Sequence, residues 1–194
     1  MADKAELFGL VLAGGKSTRM GTDKGLLNYR GMPHRDYLFQ LLDRLCTKTF
    51  LGLRKEQQNE AGEQPVIWDD TQYEGPFRSI LAAHKAHPTT AWFMLACDLP
   101  FLTEKTVEKL IQERDAGKAA TVYYNEGSGF LEPLIAIWEP AALAQAMEYA
   151  ADGSRCPRKF LLSQDIKQLS VAKGQELLNA NYPEDYEQAK KALL

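Results

Sequence analysis

Residues Val11–Leu27 read VLAGGKSTRMGTDKGLL, and the chain enters them from a short apolar run, Leu7, Phe8, Leu10, Val11 and Leu12. The run predicts a strand over Leu7–Leu12, and the segment after it is a loop dense in glycine and fixed positive charge. Gly14, Gly15 and Gly21 lack the Cβ that would hold a ligand away from backbone N–H groups. Lys16, Arg19 and Lys24 carry the charge that a polyphosphate demands. A strand emptying into such a loop is an anion cradle, and its simplest occupant is a nucleoside triphosphate. The loop is neither of two familiar phosphate motifs: it lacks the GxxxxGK[ST] spacing, and Gly14-Gly15-Lys16 breaks GxGxxG.

Working outward, apolar runs alternate with helical patterns. Strands are expected at Thr49–Leu53, Pro65–Trp68, Ala91–Ala96, Ala119–Tyr124 and Leu134–Trp138, the last two parted by the turn NEGSG. Helices are expected over Tyr37–Leu45, about Ile80–Lys85, after an N-cap at Thr103, near Ala141–Tyr149, and from Pro183 to the C-terminus. Ala91–Ala96 (AWFMLA) is apolar on both faces, as a central parallel strand is. This alternation predicts an α/β fold: three layers, a mostly parallel sheet with helices on both faces. With no repeat and no linker, residues 1–194 are expected to form one domain. Its N-terminal half, which carries the glycine-rich loop, would bind nucleotide. Ligands in such sheets bind beyond the carboxyl ends of the strands, where both the glycine-rich loop and Cys97–Pro100 fall.

A formal charge of −3 argues against a general nucleic-acid surface and makes the basic loop a local feature. Cys46, Cys97 and Cys156 are odd in number and widely spaced, a pattern of reduced thiols rather than disulfides or a zinc site. No apolar run reaches the roughly 18 to 20 residues of a membrane span, and MADKAELF does not read as a secretory signal. A cytoplasmic location is therefore expected, with neither nucleic acid nor membrane as partner.

Three further groups carry candidate chemistry. Asp98 follows a six-residue apolar strand and precedes Pro100. It either holds a hard cation such as Mg²⁺, which takes one or two carboxylates together with phosphate oxygens and water, or caps the turn toward Thr103. Asp69 and Asp70 end VIWDD, and either could cap a turn before Tyr73. Arg155, Arg158 and Lys159 cluster in GSRCPRK, which reads by itself as a solvated face or as an anion site. Asn181 either contacts a ligand or caps the last helix, with Pro183 in its first turn. His34, His84 and His87 show no metal-ligand spacing. Cys97 reads as a packed residue rather than a nucleophile.

The first segment closely resembles the signature of molybdenum cofactor guanylyltransferases (molybdopterin-guanine dinucleotide synthases), within the nucleotide-diphospho-sugar-transferase-like nucleotidyltransferases. The resemblance extends in order through Asp69 with Gly75-Pro76-Phe77, Cys97-Asp98-Leu99-Pro100-Phe101, Pro133 to Trp138, and Asn179-Ala180-Asn181-Tyr182-Pro183-Glu184-Asp185. It implies a Rossmann-like fold and transfer of GMP from GTP to the terminal phosphate of molybdopterin or its molybdenum form, with Mg²⁺ and release of pyrophosphate. It implies nucleotide binding by Leu12, Ala13, Gly14, Gly15, Lys24, Asp69, Gly75, Pro76 and Asp98. Arg19, Lys24 and Asp98 would be catalytic, with Asp98 as metal ligand. The acceptor would meet Arg155, Arg158, Lys159 and Asn181, and other cofactor-maturation proteins are possible transient partners.

The chain departs from the family pattern in three places. Phe77-Arg78-Ser79-Ile80 stands for Leu-Ala-Gly-Ile, Arg54 falls near a frequent asparagine, and Glu132 precedes Pro133 where relatives often carry histidine. The first two lie where base selection is expected, so CTP stays open beside GTP. A sugar-phosphate nucleotidylyltransferase and a non-catalytic nucleotide-binding module in cofactor maturation are the rival readings.

Overall fold

A computed structural model describes residues 4–171 and 175–193. Residues 1–3, on which part of the reading of the N-terminal leader rests, lie outside that range, as does residue 194 of the C-terminal helix. The seven strands are β1 (Leu7–Leu12), β2 (Lys48–Leu53), β3 (Val66–Trp68), β4 (Ala91–Ala96), β5 (Ala120–Asn125), β6 (Phe130–Trp138) and β7 (Lys167–Val171). Six α-helices accompany them: α1 (His34–Asp43), α2 (Phe77–Ala86), α3 (Glu104–Gln112), α4 (Pro140–Ala151), α5 (Pro157–Leu162) and α6 (Pro183–Leu193). The strands form one sheet in the order β3-β2-β1-β4-β6-β5-β7.

Alternation across the pleat builds two cores. Leu7, Val11, Phe93 and Leu95 face one way, against Leu38, Leu41 and Leu42 of α1 and Val107 and Leu110 of α3. Phe8, Leu10, Trp92 and Met94 face the other way, against α2 (Phe77, Ile80, Leu81), α4 (Leu143, Ala146) and α5 (Phe160, Leu161). β4 is buried along its whole length. Each such fully buried side chain contributes about 2 kcal/mol relative to exposure. The architecture is thus the three-layer α/β arrangement that the alternation predicts.

Strand direction brings the main qualification. β1, β2, β3 and β4 pair in parallel, and so do β5 and β7. β6 runs antiparallel to both neighbours, because the short 126–129 turn leaves no room for a crossover. β6 also begins four residues earlier than the apolar run Leu134–Trp138 predicts. Pro133 cannot donate to a ladder, and the pairing register jumps between Val122 and Tyr123 to pass it. β7 and α5 have no counterpart in the sequence reading: one is a five-residue edge strand, the other barely more than one turn.

Beside the sheet's carboxyl ends lies His34, only 1% exposed, with Nε2 3.2 Å from the Leu99 carbonyl. That contact assigns the proton to Nε2, which donates. Burial, aided by the positive charge of Arg30, lowers the imidazole from 6.5 to about 4. The unfolded chain therefore binds this proton more tightly. The stability that neutral His34 supports is complete above pH 6.5 and is lost as the pH falls toward about 4. A full shift of this size is worth on the order of 3 kcal/mol. His34→Gln keeps a donor and does not titrate. Its melting temperature should fall less than that of the wild type between pH 6.5 and 4. Identical pH profiles would refute the assignment. Asp69 and Asp98, whose carboxyls burial pushes up, gain stability on acidification, but they do so in both proteins and cancel in the comparison.

Candidate active site

The glycine-rich loop is held from below by buried polar contacts. Leaving β1, Ala13 donates its N–H to the Gly52 carbonyl at 3.0 Å. Ser17 takes a φ of 47° and Gly21 one of 72°, closing a turn in which Met20 and Gly21 both donate to the Ser17 carbonyl. The Ser17 hydroxyl accepts from the Lys24 N–H at 3.1 Å. Asp23 caps a one-turn 3-10 helix (Lys24–Leu26), its Oδ1 accepting from the Gly25 N–H at 2.8 Å. Its Oδ2 accepts at 2.6 Å from Nε2 of Gln57, which also donates to the Ala13 carbonyl at 3.2 Å. Gln57 is 3% exposed, in a stretch that reads from the sequence as a polar connector. One buried amide thus spans both ends of the loop. Nothing in the local pattern announces it, because a buried polar residue has no periodicity of its own.

Lys24 is the junction of the site. Its Nζ donates to Asn181 Oδ1 at 2.7 Å and to Asp98 Oδ2 at 3.4 Å. Three segments far apart in sequence meet there: the loop, the end of β4 and the approach to α6. The Ala180 N–H donates to the Asp98 carbonyl at 2.8 Å, so the C-terminal segment is tied directly to the β4 end. Burial pushes the Asp98 carboxyl up, against the pull of Lys24. Its Oδ1 is buried and has no hydrogen-bond partner among the described residues. A buried carboxylate oxygen without a partner suits a hard cation whose remaining positions go to phosphate and water. Among the described residues no three His, Cys, Asp or Glu side chains converge to hold a metal unaided.

On the other side of the loop, Asp69 follows β3 and packs against Gly14. A Cβ on Gly14 would fall 2.8 Å from Asp69 Oδ2. The missing side chain of Gly14 makes room for a carboxylate of the protein itself, while the residue still lines the cleft. Gly15 has open space around it. The Ser79 hydroxyl donates to Asp69 Oδ1. Asp70 points elsewhere, bonded to Lys85 at 2.6 Å, which holds its carboxyl below the usual range. Gly75 takes a φ of 57° and delivers Pro76 to the start of α2.

These groups line one cleft of about 610 Å³. It gathers Leu12, Gly14, Gly15, Arg19, Lys24, Asp69, Gly75, Pro76, Asp98 and Asn181, together with Arg54, Arg78 and Ser79. Ala13 is an exception to the expected set: it is buried, and its backbone groups are bonded within the protein. The basic cluster does not converge on the cleft either. Arg155 pairs with Glu74 at 3.0 Å, Arg158 donates to the Leu131 carbonyl and covers Phe130, and Lys159 is exposed. Arg155 lies before α5, and within α5 the roughly 100° step between successive residues separates Arg158 from Lys159. Asn181 does not cap α6, because its side chain is engaged by Lys24. Asp185 reaches back instead, accepting from the N–H groups of Asn181 and Tyr182.

Comparison with known proteins places this geometry. Residues 9–169 match the model of the MobA-like NTP transferase domain. The chain is 32% identical over 188 residues to a molybdenum cofactor guanylyltransferase of Serratia proteamaculans, covering 93% of this chain and 92% of that protein. It is 39% identical over 184 residues to a molybdenum cofactor biosynthesis bifunctional protein of Synechocystis, covering 94% of this chain but only 53% of that longer protein. The crystal structure of molybdopterin-guanine dinucleotide biosynthesis protein A from Archaeoglobus fulgidus superposes with a TM-score of 0.80 at 23% identity, covering 95% of this chain and 97% of that one, which shows a shared fold. With a family match over most of its length, the chain belongs to the MobA-like NTP transferase domain family and is a nucleotidyltransferase.

Proposed function

We propose that this nucleotidyltransferase acts in molybdenum cofactor biosynthesis, moving GMP from GTP to the terminal phosphate of molybdopterin or its molybdenum form and releasing pyrophosphate. The observation that carries the reading is the meeting of Lys24, Asp98 and Asn181 at the mouth of a glycine-rich phosphate loop. The names of the relatives supply the acceptor class. In this reading the loop receives the triphosphate, Arg19 faces its outer phosphates, and Lys24 meets the phosphate at which charge builds. Asp98 would hold Mg²⁺, which supplies Lewis-acid charge neutralisation to the phosphates when bound. Nucleotidyl transfer needs positioning and electrostatic stabilisation rather than a protein nucleophile, and the cleft offers the first two. We place the acceptor at the C-terminal side, where Asn181 is the member of the expected acceptor set that reaches the cleft. The chain then acts as a single catalytic unit. Its three unpaired cysteines suit a reducing cytoplasm. No helix among the described residues is long and apolar enough to cross a membrane.

Incubation with molybdopterin, Mg²⁺ and each nucleoside triphosphate in turn, followed by mass analysis and a pyrophosphate assay, tests this directly. The guanine dinucleotide with stoichiometric pyrophosphate is expected. A cytosine dinucleotide alone would overturn the choice of base. Nucleotide binding without pyrophosphate release would favour a carrier module over an enzyme.

A further inference from the structure

The sheet order separates the two ends of the cleft. Asp98 follows β4 and Asp69 follows β3, three strands away. At about 4.8 Å per strand that separation is roughly 14 Å, enough to put the phosphates at one end and the base at the other. The base end is walled by Arg54, Asp69, Arg78 and Ser79. Asp69 Oδ1 accepts from the Ser79 hydroxyl, and the two guanidinium groups are the charged donors at this end.

They are not equivalent. Arg54 lies 3.9 Å from the Glu56 carboxylate, so its charge is already partly answered. Arg78 has no carboxylate within 4 Å among the described residues, its charge acting on Asp69 only from a greater distance. Its Nε donates to the Tyr73 carbonyl at 2.9 Å, which pins the root of the planar group and leaves both Nη atoms unbonded to the described residues. Seated in the first turn of α2, Arg78 is a half-buried, pre-oriented fork with two donors to spare.

We propose that Arg78 reads the base, donating through its two Nη groups to a pair of adjacent acceptors such as O6 and N7 of guanine. The inference rests on the reading of the site as a guanine-nucleotide site. A planar guanidinium matches that acceptor pair in a bidentate way. Adenine sets an amine donor beside N7, and that donor would face the fork. Cytosine has no N7 edge; its own adjacent acceptors, O2 and N3, lie on the edge of a smaller ring and would have to be presented in a different position. The substitution of arginine for a small residue in this turn thereby becomes a selectivity device, distinct from the phosphate chemistry.

Equilibrium binding by calorimetry tests the proposal without needing the acceptor. GTP, 7-deaza-GTP (a carbon in place of N7) and CTP are titrated into the wild type, Arg78→Ala, Arg78→Lys and Arg54→Ala. The wild type should bind GTP about tenfold more tightly than 7-deaza-GTP. Arg78→Ala should weaken GTP by more than about tenfold, having lost both bonds, and 7-deaza-GTP, which keeps O6, by less, so that the two converge. Arg78→Lys, which keeps the charge but loses the fork, should behave like the alanine variant, and Arg54→Ala should preserve the wild-type ratio. Equal wild-type affinity for GTP and 7-deaza-GTP overturns the proposal even if no variant folds. So does a ratio that survives in Arg78→Ala. Tighter binding of CTP than of GTP by the wild type removes the guanine reading and this assignment with it. Normal GTP discrimination with no transfer to molybdopterin would instead sink the reaction alone.

Discussion

Replacing Lys24 with alanine should lower turnover by roughly two to three orders of magnitude, the range seen when one preorganised group stabilising transition-state charge is removed. The Michaelis constant for the nucleotide should move much less. The reason is local. Gly14, Gly15 and Arg19 remain to bind the triphosphate tail, whereas Lys24 is the cation that the structure holds beside Asp98, between the loop and the C-terminal segment. Its backbone is fixed by the Ser17 hydroxyl on one side and the Asp23 cap on the other, so the ammonium is delivered with little freedom to lose. Lys24→Arg should not restore the rate. A longer planar group cannot reach Asn181 and Asp98 from the same position as a compact ammonium. Steady-state kinetics on purified protein, with melting temperature as a control for folding, decides the matter. A Lys24→Ala protein with wild-type kcat would remove Lys24 from the chemistry.

Asp98→Asn should be equally damaging to activity, by about three orders of magnitude, and yet should not weaken the fold. The carboxylate sits at the end of β4 with one oxygen buried and unpartnered, and burial drives its titration upward. Leaving such a group unsatisfied costs about 1–3 kcal/mol. The amide carries no charge to desolvate, and its oxygen can still accept from Lys24. The melting temperature should therefore equal or exceed that of the wild type, where 1 kcal/mol corresponds to about 2–4 °C for a chain of this size. Raising the Mg²⁺ concentration should not rescue turnover, because the lost element is the anionic ligand. Loss of activity accompanied by a lower melting temperature would point to a structural role in place of a functional one. Stability given up at a functional carboxylate is the expected pattern for a site selected for chemistry.

Much of this site was legible before any coordinates. Lys24 and Asp98 stand out because charged residues beside a strand end violate the apolar pattern around them, and such violations are how function shows in sequence. The boundaries of β1 and β4 coincide with Leu7–Leu12 and Ala91–Ala96, as six-residue apolar runs bounded by clear breaks should. The N-cap at Thr103 is present, its side chain accepting from the Thr106 N–H. The weaker elements had no such signal. β6 hides half of its length behind Pro133, α5 is too short to display a period, and β7 draws its pairing from β5 rather than from any strength of its own.

The deeper gap concerns partners. Local sequence can say that Asn181 is a polar residue before a proline-initiated helix. It cannot say that Lys24, 157 residues earlier, takes its side chain and leaves the capping to Asp185. Gln57 is the same case in reverse, a polar residue in a polar stretch that tertiary packing buries beneath the phosphate loop. Arg155, Arg158 and Lys159 are contiguous in sequence and dispersed in space. By itself the sequence determined the α/β class, the glycine-rich loop with its cation and the carboxylate at the end of β4, because these depend on periodicity and on residue type where a strand gives way to a loop. Which residue satisfies which, and which arginine keeps its outer nitrogens unbonded among the described residues, was decided only by the tertiary structure. Hydrogen bonds are short-ranged and directional, and the chain must fold before their partners come within 3 Å of one another.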